Sequence, residues 1–272
     1  MSDERTMTDA EVAAVATRHE RARREAVLAK RVTADHPNMT LSDAYACQRA
    51  WVDLQVAGGS KILGHKIGLT SRAMQQAMNI DEPDFGALLD YMFVPPGATL
   101  VAAEYNDPRI EVELAFVLSS PLFSADVTHA DVLAATDHVV AALELIDART
   151  HRVDPDDGVT RTVMDTIADN AANAAIITGE VKVAPGDTDL RWVPAILKRN
   201  GVVEETGVAA GVQDDPVTGI VWLARRLAGL GIQLEAGETI LAGSFTRPVM
   251  CRGGDSFHVD FGPLGVITLD FE

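Results

Sequence analysis

The segment Pro108-Arg109-Ile110-Glu111-Val112-Glu113-Leu114-Ala115-Phe116 constrains this chain more than any other. Read with a period of two, it places Arg109, Glu111, Glu113 and Ala115 on one face and Ile110, Val112, Leu114 and Phe116 on the other, the pattern of a half-buried strand. Two carboxylates therefore point the same way, with their Cα atoms roughly 6.6 Å apart along the strand. A Glu-x-Glu pair on a strand is ordinarily a solvated face. A second apolar run, Val139 to Ala148, changes that reading because it carries Glu144 among Leu143, Leu145 and Ile146. A carboxylate inside such a run is costly unless it is paired or ligated. Three glutamates sharing one pocket repel one another by about 1 to 4 kcal/mol per pair, and a divalent cation reverses the sign. Oxygen donors alone favour magnesium, calcium or manganese over zinc.

The 272 residues are 47% hydrophobic, enough for a full core. A net charge of −17 weighs against nucleic acid or an anionic membrane surface as partner. It leaves a small anionic ligand open, since a metal and a few basic residues can dominate a local site. Cys47 and Cys251 alone suggest no disulfide framework and fit a reducing compartment. The polar N-terminus and the lack of any stretch approaching about 18 apolar residues point to a soluble, cytoplasmic protein.

Helical structure is expected first, over about Asp9 to Arg31 and again from a capping box at Thr40-Leu41-Ser42-Asp43 to Gly58-Gly59. The character changes at Lys61, dividing the chain into an N-terminal helical region, 1–60, and a β-rich domain, 61–272. Ile62 to Ser71 reads as a strand running into a loop, with Thr70 or Ser71 capping a short helix through Met78. Lys66 stands there among apolar residues and glycines; it either snorkels to solvent or serves as an acid or base beside a metal. A helix is expected from His129 to His138. A polar loop, 149–165, carries Arg149, His151, Arg152 and Arg161, arginines suited to gripping a carboxylate. Asn200-Gly201 between two β-rich runs predicts a type I′ hairpin, and Pro216 opens an amphipathic helix through Leu230. Strands close the chain around Thr239 to Ala242, Phe257 to Phe261 and Val266 to Phe271.

No Gly-x-Gly-x-x-Gly, phosphate-binding loop or Gly-x-Ser-x-Gly elbow is present, which weighs against nucleotide-dependent and serine-hydrolase chemistry. No histidine pair has zinc spacing, and His65 and His258, on apparent strands, read as structural. A simple calcium module would need an Asp-x-Asp-x-Asp-Gly loop, which is missing.

Five ordered blocks carry a resemblance: Gly64-His65-Lys66-Ile67-Gly68-Leu69-Thr70-Ser71, Pro108 to Glu113, Ala142 to Arg149, Asp165 to Asn173 and Gly243-Ser244-Phe245-Thr246-Arg247-Pro248. From about Val32 onward the chain resembles the hydratase and decarboxylase branch of the fumarylacetoacetate hydrolase superfamily. The resemblance implies an α+β fold, N-terminal helices followed by a mixed β-roll core, assembled into pentamer-based homo-oligomers. It implies Mg2+ (or Mn2+) on Glu111, Glu113 and Glu144, and a catalytic role for Lys66, aided by Asp90. Ser71, Arg72, Arg161, Ser244 and Thr246 become candidates for substrate binding, with Asp169 and Asn170 in support. The implied reaction is addition of water to a small anionic 2-hydroxy-dienoate or 2-oxo-enoate from aromatic catabolism, the metal stabilising dienolate charge. Decarboxylation is the chemical alternative. A non-catalytic partner subunit would lack the ligands or the lysine, and all are present.

Overall fold

The computed structural model describes residues 4–272. Helices α1 (Asp9–Glu25), α2 (Val32–Asp35) and α3 (Leu41–Ala57) come first. Capping boxes open α1 at Thr8 and Glu11 and α3 at Thr40 and Asp43. Asp43 does more than cap: its buried carboxylate also accepts from the Thr6 and Met7 amides and the Thr6 hydroxyl, tying the segment before α1 to α3. Helix α1 stops at Glu25, short of the expected Arg31, because Ala26 turns left-handed (φ 48°) and Ala29 bridges Thr150 in extended form.

The strands are β1 (Ile62–Gly68), β2 (Asp84–Leu89), β3 (Phe93–Val94), β4 (Thr99–Leu100), β5 (Arg109–Leu118), β6 (Thr136–Ile146), β7 (Asn173–Thr178), β8 (Pro194–Arg199), β9 (Val202–Val208), β10 (Thr239–Leu241), β11 (Val249–Met250), β12 (Ser256–Asp260) and β13 (Val266–Phe271). Between them lie α4 (Arg72–Met78), α5 (His129–Ala135), α6 (Val163–Ala168) and α7 (Pro216–Gly229). One mixed sheet has the order β2-β1-β10-β5-β6-β7-β3, with β11 also on β5; the other runs β4-β13-β12-β8-β9. The β8–β9 turn has Asn200 and Gly201 both at positive φ, the I′ geometry that Asn-Gly supplies. The helix expected over 129–138 ends at Ala135, and Thr136 to His138 join β6 instead. There His138 pairs with Val117, and β-branched Val139 and Val140 favour continuing the ladder over another helical turn.

Alternation gives the larger sheet two unlike faces. Ile110, Val112, Leu114 and Phe116 of β5, with Leu143, Ile177 and Ile240 beside them, form the main core with the second sheet, α5 and α7. The opposite face presents Ala115, Val140, Ala142, Ile176 and Leu241 to Trp51 and Val52 of α3 and Ala16 of α1. The N-terminal helices thus roof the face on which the glutamates stand. No helix among the described residues is long and apolar enough to cross a membrane.

Candidate metal centre and active site

Strand register assembles the site. Glu111 and Glu144 are direct partners across β5 and β6, and Glu113, two residues on, faces small Ala142. One carboxylate oxygen from each of the three lies within 4.8 Å of the others. Glu113 and Glu144 are only 1% and 0% exposed. The Gly243 amide donates to Glu113 Oε2 (2.8 Å), and Asn173 Nδ2 donates to Glu144 Oε1 (2.8 Å). The second Glu144 oxygen is buried without a hydrogen-bond partner, as is Asn173 Oδ1. An orphaned carboxylate oxygen in such surroundings is what a ligand awaiting its cation presents.

Lys66 reaches the same place by parity. It lies in one row with Leu241 and Ala115, so its side chain leaves the sheet on the glutamate face. Nζ sits 3.3 Å from Glu144 Oε1 and donates to the Ala171 carbonyl (3.2 Å). On the other side of β1, Gly86 opposes Lys66 and Asp84 opposes Gly68, which puts the Asp84 carboxylate on that face too. Asp84 is 1% exposed, and its Oδ1 has no partner. A Cβ at position 68 would stand 2.1 Å from Asp84 Oδ1 and 3.2 Å from Lys66 Nζ, so a larger residue there would displace the Asp84 carboxylate.

Four buried or half-buried carboxyls thus share one ammonium, and the ionisation of Glu111, Glu113 and Asp84 reports the deficit of positive charge. Burial and then Glu144 push the Glu111 carboxyl up to about 7. Burial, Glu144 and Glu111 raise Glu113 well above the ordinary range. Burial raises Asp84, against the pull of Lys66. For Lys66, burial alone favours the neutral amine, but Glu144, Asp84, Glu111 and Glu113 outweigh it and hold the side chain protonated. A divalent cation among the three glutamates would supply the missing charge, and the donor set is of the hard-oxygen kind.

The other candidates divide. Asp90 is not brought to the lysine: it opens a 3-10 turn at the Ile62 end of β1, accepts from the Tyr91 amide (3.0 Å) and makes no hydrogen bond or ion pair with Lys66. The acid beside the lysine is Asp84, six residues earlier. Ser71 caps α4 by accepting from the Met74 amide. Together with Thr70, Arg72, Gln75 and Gln213, Ser71 lines a cavity of about 630 Å³, in which Arg72 is the single basic residue. Thr70 packs against Gly243, whose amide holds Glu113, so the cavity borders the glutamate cluster. Segment 242–248 runs beside β5, with Ala242 on Leu114 and Phe245 on Val112. Ser244 Oγ there is shared between the Val112 and Thr246 carbonyls, while Thr246 Oγ1 is buried without a partner. Arg161 donates to the Thr150 carbonyl (3.1 Å) and makes no hydrogen bond or ion pair to the cluster. His65 is held by Glu238 (3.1 Å) and His258 is exposed, so neither is a ligand.

Sequence reasoning passed over Asp84 and Asn173. The available signal for Asp84 was the one that drew attention to Glu144, a carboxylate heading an apolar run, here Phe85 to Leu89. Nothing local marks Asn173, which matters because β7 pairs with β6.

No family model matches the chain. It is 52% identical over 257 residues to the 2-oxo-hept-4-ene-1,7-dioate hydratase of Escherichia coli, covering 94% of this chain and 96% of that protein. Among solved structures, 4-oxalocrotonate decarboxylase from Pseudomonas putida G7, complexed with magnesium and adipate, superposes with a TM-score of 0.94 at 33% identity, over 99% of this chain and 100% of that one. Fumarylacetoacetate hydrolase from Exiguobacterium antarcticum shares the fold, with a TM-score of 0.58 at 16% identity over 78% of this chain and 75% of its own. Curled mixed sheets behind N-terminal helices, with a roofed cluster of carboxylates, define the class of the fumarylacetoacetate hydrolase fold. Within that fold the chain belongs to the family of 2-oxo acid hydratases and 4-oxalocrotonate decarboxylases. It is a hydro-lyase by its relatives.

Proposed function

We propose that this protein hydrates 2-oxohept-4-ene-1,7-dioate, or its 2-hydroxy-dienoate tautomer, with Mg2+ or Mn2+ held by Glu111, Glu113 and Glu144. The observation that carries the reading is the placing of Lys66 and Asp84 on one sheet face beside three converging glutamates, one of which has an unpartnered buried oxygen. The 52% identical relative is a hydratase of that substrate, and the magnesium-bound neighbour supports the choice of metal.

A divalent cation bound there supplies charge stabilisation for the oxygen at C2 as enolate character develops. The chain's own residues move protons. In a 2-oxo-4-ene acid a proton leaves C3 and another arrives at C5, which brings the double bond into conjugation with the 2-oxo group. Water then adds its oxygen at C4 and its proton at C3, giving a 4-hydroxy-2-oxo acid. Lys66, protonated and anchored by Ala171, is the proton donor; Asp84, whose carboxyl is pushed up by burial, is the acceptor beside it. Roofing by α1 and α3 keeps bulk water from the sheet face. Arg72, the single cation lining the adjoining cavity, would hold the far carboxylate of a dioate.

The high structural similarity to a decarboxylase favours one second reading, loss of carbon dioxide from the same dienolate. A turnover assay with dicarboxylic and monocarboxylic dienoates, followed by product mass and by carbon dioxide release, separates them. Gain of one water with preference for the dioate is expected. Release of carbon dioxide, or preference for the monocarboxylate, would overturn the assignment.

A further inference from the structure

The turn that meets Lys66 is in an unusual conformation. Asn170, Ala171 and Ala172 have φ of 50°, 50° and 60°, three consecutive left-handed residues none of which is glycine. L-residues avoid this region, and consecutive ones seldom occur without an external hold. Here a buried guanidinium holds the two ends, beside the Asp147 amide on the Ala172 carbonyl (2.8 Å). Arg149 Nη1 donates to the Asp169 carbonyl (2.8 Å) and to Asp169 Oδ1 (2.9 Å), and Nη2 donates to the Asn173 carbonyl (2.6 Å). The Arg149 amide adds a bond to Asp169 Oδ2 (2.6 Å), and its guanidinium lies over the Trp51 ring, 4.9 Å from the centroid. One side chain therefore grips the turn at both ends, residues 169 and 173.

Between those ends the turn serves the site through two atoms. The Ala171 carbonyl accepts from Lys66 Nζ, and Asn173 Nδ2 donates to Glu144 Oε1. Asn170 wedges the turn against β2 by bonding both backbone groups of Ala87 (2.8 and 2.9 Å), and a Cβ on Gly86 would stand 2.7 Å from the Asn170 carbonyl. Arg149 itself touches neither Lys66 nor a glutamate of the cluster. If the turn relaxed, Lys66 Nζ would lose the Ala171 carbonyl and keep Glu144 Oε1, 3.3 Å away, so nothing on the turn would fix the direction of the ammonium.

We infer that Arg149 and Asp169 are positioning residues, whose ion pair holds the left-handed turn that gives Lys66 Nζ the Ala171 carbonyl as a second partner beside Glu144 and so fixes the ammonium for proton transfer. The inference rests on the role proposed for Lys66, and the two are tested separately. Lys66→Met must first lower kcat by at least about 100-fold; a fully active Lys66→Met enzyme would remove the proposed role itself. With that established, Arg149→Lys, which keeps the charge but loses the two-ended grip, and Asp169→Asn are purified in the full chain. Folded fraction, Mn2+ affinity, kcat and KM are measured for each. In folded protein kcat is expected to fall about 10- to 100-fold, the scale of a displacement near 1 Å. KM is expected to change less than about threefold, and the Mn2+ affinity less than about tenfold, since the substrate and ion contacts stay in place.

A rescue separates positioning from simple support. Glycine adopts positive φ without a hold, so Ala171→Gly added to Arg149→Lys should recover at least several-fold in kcat over Arg149→Lys by itself. A kcat within twofold of wild type in folded Arg149→Lys or Asp169→Asn would overturn the inference. So would failure of Ala171→Gly to restore any rate. Loss of folding in all the Arg149 and Asp169 variants would assign the pair to stability alone, with the same consequence.

Discussion

Replacing Glu113 with Gln should stabilise the metal-free protein while destroying its response to metal. Without a cation the buried Glu113 carboxyl retains its proton well above the ordinary value of 4.5, through burial and then the Glu144 and Glu111 charges. The unfolded chain releases that proton, so the native state binds more protons than the unfolded one, and metal-free stability falls as pH rises above 4.5. The cost is about 1.4 kcal/mol per pH unit, which caps it at roughly 3 kcal/mol at pH 7 and under about 1 kcal/mol at pH 5. Gln carries no charge and keeps an oxygen for the Gly243 amide. Metal-free Glu113→Gln should therefore melt above wild type at pH 7, by up to about 6 to 12 °C for a chain of this size, with the advantage fading at pH 5. Mn2+ at about 1,000 times Kd should reverse the order, since it adds about 4.1 kcal/mol to wild type and little to the variant. Calorimetry in chelator and in Mn2+, at both pH values, checks this. A metal-free variant that melts at or below wild type at pH 7, or one that Mn2+ raises as far as wild type, would refute the account of a charge-deficient metal centre.

Three further outcomes follow from the same geometry. Lys66→Met should lower kcat by about 10²- to 10⁴-fold yet bind Mn2+ at least as tightly as wild type, because the ammonium 3.3 Å from Glu144 no longer competes; turnover and titration calorimetry measure the two. Gly68→Ala places a Cβ 2.1 Å from Asp84 Oδ1 and 3.2 Å from Lys66 Nζ, so it should cost at least about 100-fold in kcat/KM with metal binding retained, and wild-type kinetics would refute the packing. Burial would raise the Asp43 carboxyl, but amides of Thr40, Met7 and Thr6 outweigh it and lower the value to about 2. This contribution, roughly 2 kcal/mol by linkage, is complete above the ordinary 3.8 and is lost as pH falls toward 2. Asp43→Asn should accordingly be less stable than wild type at pH 7, with the difference closing in acid, as read by denaturant titrations.

The strand at the centre of the site was legible because its information is local. Period-two alternation alone assigns Glu111 and Glu113 to one face, and an apolar run around Glu144 signals a buried charge that needs a partner. The caps at Thr40 and Ser71 and the Asn200-Gly201 turn are local in the same way, each set by a side chain and the backbone within three residues of it. The end of α1 and the switch from α5 to β6 were less visible, since each is decided by pairing with a distant segment.

What the sequence by itself determined, then, is which residues alternate to which face and that a third carboxylate stands inside an apolar run. Only the tertiary structure decided which acid joins the lysine. Antiparallel register between β1 and β2, with its irregularity between Ile62 and Gly64, sets Asp84 opposite Gly68 and leaves Asp90 at the far end. Likewise Lys66 meets Glu144 across two intervening strands, β10 and β5, and Arg149 reaches the site only through a turn 20 residues away. The physical reason is that a face follows from neighbours along the chain, whereas register is settled by burial over the whole sheet.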